Sequence, residues 1–124
     1  MTDARDPLAG FDPETIQAVA EDHDVDPERL ETIARDHQNG VRSLPGVEDI
    51  VYEWRTQFHE DPLLSRSDRA YVLALRDHVW DEFVESLALS EAEVTALRAL
   101  HERVADTLLD GDAATEGAMV LVRP

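Results

Sequence analysis

The chain has 124 residues, of which 28 are Asp or Glu and 11 are Arg, for a net charge of −17. That length favours one compact domain, and 43% apolar content is enough to build its core despite the charge. The chain has no Lys and no Cys; this excludes a P-loop lysine, a pyridoxal Schiff base, thiol nucleophiles, disulfides and cysteine-ligated metal centres.

Met1 to Gly10 carries Asp3, Arg5 and Asp6 and no apolar signal region. Residues 1–10 are therefore expected to fray, and residues 11–124 to form a single domain in the cytoplasm. No window approaches 18 apolar residues, so no membrane span is expected.

Two helix starts share one design. Asp12-Pro13-Glu14 and Asp26-Pro27-Glu28 each place Asp at an N-cap and Pro at the first helical position, where a missing N–H costs nothing. Phe11 with Ile16, and Val25 with Leu30, have the spacing of hydrophobic staples. The pattern predicts helices over 13–22 and 27–38, the second stopped by Asn39-Gly40.

Residues 50–58 fit two periods. Ile50, Tyr52, Trp54 and Phe58 share a strand face, whereas Val47, Ile50, Val51, Trp54 and Phe58 share a helix stripe. β-branched and aromatic content there and in Ala70-Tyr71-Val72-Leu73-Ala74-Leu75 favours strands. The short apolar run Ala118-Met119-Val120-Leu121-Val122 needs a sheet to pair with. A helix is expected over 78–88 on Val79, Trp80, Phe83, Val84 and Leu87. Another starts at the Ser90/Glu93 capping box, runs through Val94, Leu97, His101, Val104 and Leu108, and ends near Asp110-Gly111. The expected class is α+β, about four helices on a three-stranded antiparallel sheet (49–57, 70–75, 118–122), with an all-α bundle as the alternative.

Most motifs for chemistry fail on inspection. Asp22 to Asp26 opens like a calcium loop, but Pro27 and Ile33 stand where Gly and Glu are required. His59-Glu60 and His101-Glu102 begin H-E-x-x-H patterns that end on Leu63 and Ala105. No Gly-x-Ser-x-Gly elbow exists. Neither a catalytic residue, a metal ligand nor a cofactor is assigned. His37 and His101, on apolar stripes, are expected as hydrogen-bonded histidines at the core edge.

The two Asp-Pro helices also resemble a helix-turn-helix, with Arg29 and Arg35 as the nucleic-acid contacts. Residues 11–40, however, hold nine acids and two Arg, which opposes phosphate binding. By contrast, residues 42–76 hold five Arg, six acids and four of the seven aromatics, so nearly all the net charge lies outside this window. Arg, Tyr and Trp are enriched in interface centres. Trp54, Arg55, Leu63, Leu64, Arg66, Arg69 and Tyr71 are accordingly the interface candidates, with Leu63 and Leu64 at the tip of a 59–69 loop. The alternative is a buried hairpin of low charge.

The segments Val51-Tyr52-Glu53-Trp54-Arg55, Asp61-Pro62-Leu63, Ala70-Tyr71-Val72-Leu73 and Val79-Trp80-Asp81-Glu82-Phe83 together resemble small acidic haloarchaeal proteins of unknown function, over most of residues 11–110. The composition as a whole resembles that of cytoplasmic proteins from salt-loving archaea. This likeness implies lineage and a single domain; it carries no activity and no site residues. The expected function is a non-catalytic protein-interaction or regulatory module, homodimeric through residues 42–76. A DNA-associated regulator using helices 13–38 is the alternative, and a carboxylate-based metal enzyme stands third.

Overall fold

The two Asp-Pro starts set the first corner of the molecule. In the computed structural model, which describes residues 8–43, 47–57, 62–67, 70–85, 87–109 and 117–122, Asp12 accepts the Glu14 N–H at 2.9 Å and Asp26 accepts that of Glu28 at 2.9 Å. Helices α1 (Pro13–Asp22) and α2 (Pro27–Ser43) follow. Between them Asp24 takes a left-handed φ of 56°, and the Val25 N–H returns to the Ala20 carbonyl at 2.9 Å. This αL ending satisfies the last carbonyls of α1 with Asp in the place usually given to glycine. Helix α2 does not stop at Asn39-Gly40. It runs on to Ser43 because Val41 is fully buried on its apolar stripe, while Gly40 faces open space.

Residues 49–57 are not a strand. They belong to helix α3 (Val47–Gln57). Ile50, Val51 and Trp54 are buried while Tyr52, Glu53 and Arg55 are exposed, the spacing of a helix stripe rather than strict alternation. Glu48 and Asp49 in the first turn and Arg55 in the last suit the helix dipole. This segment accounts for a fifth helix, and the first strand of the sheet lies further on, inside the expected 59–69 loop. That strand, β1 (Leu63–Arg66), pairs antiparallel with β2 (Ala70–Ala74), which pairs antiparallel with β3 (Ala118–Val122). The order is β1-β2-β3.

Helix α4 (Asp77–Glu85) is shorter than the expected 78–88. Ala88 at φ 53° turns the chain sharply into the next cap. Ser90 and Glu93 form both halves of the capping box, and α5 (Glu91–Leu108) runs through the core. The fold is α+β: five helices packed with a three-stranded antiparallel sheet. All five side chains of β3 are buried, as are Ala70, Tyr71, Val72 and Leu73 of β2, the pattern of strands covered on both faces.

Candidate functional site

The near-neutral window contributes α3, β1 and β2. Across the β1–β2 ladder Arg66 stands opposite Tyr71, and the Tyr71 hydroxyl donates to the Glu48 carboxylate in the first turn of α3. Tyr52 lies four residues after Glu48, on the same side of the helix, and Arg55 follows three residues later. The start of α3 therefore lies beside the hairpin, leaving Tyr52, at 72% exposure, on its outer side. Along β1, Leu63 and Ser65 are half-buried, whereas Leu64 and Arg66 are exposed.

These placements divide the expected contact residues. Arg55, Leu64 and Arg66 are exposed, Leu63 is half-buried and Arg69 lies outside the described residues. Trp54 is buried against Phe83, ring centroids 5.6 Å apart and nearly perpendicular. Tyr71 is buried apart from its link to Glu48. Leu63 and Leu64 lie in a strand rather than at a loop tip. Tyr52 is not among the expected contact residues, although the helix stripe Val47, Ile50, Val51, Trp54 and Phe58 leaves it on the outer side of the helix, where it is 72% exposed.

β1 is an edge strand with guarded features. It has four residues, begins after Pro62, carries Arg66 and has a register shift between Leu63 and Ser65. Short length, proline, charge and a bulge all discourage strand addition. This edge therefore offers side chains rather than a free backbone ladder.

A second constellation is internal. Gln38 on α2 donates from Nε2 to the Val120 carbonyl at 2.7 Å and accepts the Val122 N–H on Oε1 at 2.9 Å. His101 on α5 accepts the Val120 N–H on Nδ1 at 2.9 Å. Helical side chains thus satisfy the outer edge of β3 in place of a fourth strand. His101 is ringed by Phe11, His37 and Trp80 at centroid distances of 5.2, 5.1 and 5.1 Å, all nearly perpendicular to it. His37 stacks almost parallel on Trp80 at 5.7 Å. Burial pushes His37 down to about 4, and burial together with the charge of His37 pushes His101 well below the usual histidine range. Both rings are therefore neutral near pH 7. His37 lies inside the core rather than at its edge, and neither of its nitrogens has a hydrogen-bond partner among the described residues.

The helix-turn-helix contacts are differently engaged. Arg29 is ion-paired with Glu93 of α5 at 2.9 Å, and Arg35 is half-buried. The backbone N–H of Ser90 and the Arg29 side chain hold the Glu93 carboxyl below its usual range. Among the described residues no three His, Asp or Glu side chains converge as a metal site, and no helix is long and apolar enough to cross a membrane.

The described elements form a small α+β domain with an internal polar clasp on β3. The model of a family described as a domain of unknown function (DUF8048) matches residues 9–123, and the chain belongs to that family. Neither a curated protein nor a solved structure matches it.

Proposed function

We propose that the chain is a non-catalytic interaction or regulatory module that pairs with a second copy of itself through the outer side of α3 and β1. One observation carries this reading. Two of the three exposed large apolar side chains among the described residues, Tyr52 and Leu64, lie in the window that holds almost none of the net charge. Elsewhere two copies would bring dense carboxylates together, at a cost that opposes association. Here the exposed Arg55 and Arg66 offset the carboxylates of α3, so a second copy meets a surface of mixed charge. Trp54 and Tyr71 hold this face from beneath, Leu63 flanks it, and Arg69 joins the proposal by its place in the sequence.

The acidity elsewhere supports a second part of the proposal, that the protein is adapted to concentrated salt of the kind found in haloarchaeal cytoplasm. At about 1 M salt the Debye length is roughly 3 Å, and repulsion among surface carboxylates is screened. The test is light scattering in 2 M KCl over a hundred-fold range of protein concentration. A mass rising to that of two chains supports the reading; a single-chain mass throughout overturns it.

A further inference from the structure

We propose that His37 and His101 form a proton-operated latch on β3: a proton taken up by either ring frees the outer edge of that strand before the helices come apart. His101 Nδ1 accepts the Val120 N–H at 2.9 Å, so the proton of the neutral ring sits on Nε2. A second proton can go only to Nδ1. It turns that acceptor into a donor aimed at another donor, and the hydrogen bond to β3 is lost.

His37 reaches the same strand by a different route. It stacks on Trp80, whose Nε1–H donates at 2.8 Å to the carbonyl of Gly117, immediately before β3. A charge on His37 also lies 5.1 Å, centroid to centroid, from His101. The two rings therefore govern both ends of the hold on β3, with Gln38 bonding Val120 and Val122 beside them.

Among the described residues neither His37 nor the Nε2 of His101 has a hydrogen-bonding partner that would hold a cation. Phe11 ahead of α1 and all of β3 present apolar side chains, and α4 presents Trp80 and Phe83. The charged groups of α4, namely Asp77, His78, Asp81 and Glu82, are exposed. Arg98 of α5 lies over Trp80 at 5.6 Å, and Arg103 turns away to Asp22. Arg35, Asp36 and Glu102, on the histidines' own helices, are half-buried or exposed. Burial is accordingly the main cause holding both rings neutral.

The helices have ties that protonation leaves intact. Arg29–Glu93 joins α2 to α5 and Arg103–Asp22 joins α1 to α5, and the N-caps of α1, α2 and α5 are made by Asp12, Asp26 and Ser90. That independence makes strand release a separate event from unfolding.

The full chain, 15N-labelled and in 2 M KCl, provides the test. Long-range 15N–1H spectra should show His101 with its proton on Nε2. Amide exchange, corrected for intrinsic rates, should show the opening constants of Val120 and Val122 rising about twenty-fold or more from pH 7 to 5, the change expected when one histidine moves from about 4 to about 6.5 on exposure. Val19 and Ile33, which report global unfolding, rise with the same titration, so the mark of the latch is that Val120 and Val122 open more readily than Val19 and Ile33 at pH 5. The double variant His37→Phe, His101→Asn keeps the ring and an acceptor but removes both titrations, and should abolish the rise. A proton on Nδ1, no rise at Val120, opening constants at Val120 and Val122 no larger than those at Val19 and Ile33 at pH 5, or a rise that survives the double variant would each overturn the latch. If that variant does not fold, the tautomer and exchange data on the unaltered chain decide.

Discussion

Gln38 serves Val120 as a neighbouring strand would. Its amide donates to the Val120 carbonyl and, two residues along β3, accepts the Val122 N–H. The side-chain amide supplies both the donor and the acceptor, and the site is fully buried. Replacing Gln38 with Leu leaves two backbone groups unsatisfied, each worth about 1–3 kcal/mol. Gln38→Leu should therefore lose roughly 2–4 kcal/mol in urea unfolding at 2 M KCl. An unchanged midpoint would mean that water or another group covers the edge of β3.

The buried histidines predict acid sensitivity of a definite sign. Burial pushes His37 down to about 4 in the folded chain, against about 6.5 for a histidine in the unfolded chain. The unfolded chain thus binds the proton first. Stability contributed by the neutral ring is complete above about pH 6.5, falls as pH drops, and stops falling below about 4. The loss amounts to about 3 kcal/mol for this ring, and His101 adds to it in the same direction. Urea midpoints at pH 7.5 and 5 should separate for the native chain, and His37→Phe should narrow the gap.

Gly117 is irreplaceable for a geometric reason. Its φ is +86°, and a Cβ there would lie 2.4 Å from the Leu75 carbonyl oxygen. Its own carbonyl receives both the Trp80 indole N–H and the Leu75 N–H. Gly117→Ala combines left-handed strain with a backbone clash and should cost at least about 2 kcal/mol. Thermal unfolding followed by circular dichroism measures it, and a red shift of tryptophan emission should accompany the loss of the Trp80 contact.

Salt should matter more than any single side chain. Lowering KCl from 2 M to tens of millimolar lengthens the screening distance from a few ångströms to roughly 15–30 Å. Ion pairs such as Arg29–Glu93, Arg98–Asp77 and Arg103–Asp22 strengthen, but 28 acids against 11 Arg leave repulsion dominant. Helical signal should fall in circular dichroism as salt is removed and return when it is restored. Full helicity at low salt would contradict the proposed adaptation.

Much of this architecture is visible in particular residues. The Asp12 and Asp26 caps, the Ser90–Glu93 box and the apolar run 118–122 each have a local cause that needs no distant partner, and each element starts as expected. Residues 49–57 are different. Their aromatic and β-branched content favours a strand locally, and packing of Ile50, Val51 and Trp54 against the core decides for helix. β1 is only four residues long and irregular, so it leaves almost no alternation to read. The polar clasp on β3 depends on contacts more than 80 residues apart for Gln38. Its one local sign is Gln38 standing on the Leu30, Ala34, Val41 stripe.

The central claim is a pairing face made by Tyr52 and Leu64, and Leu108 provides its control. At 39% exposure Leu108 is as accessible as Leu64 at 40%, yet it lies on α5 outside the near-neutral window. Light scattering in 2 M KCl on Tyr52→Glu, Leu64→Glu and Leu108→Glu compares them directly. The account predicts that the first two shift the chain at least ten-fold toward monomer, about 1.4 kcal/mol or more, while Leu108→Glu associates like the native protein. Equal behaviour of all three variants, or loss of association only with Leu108→Glu, would contradict it.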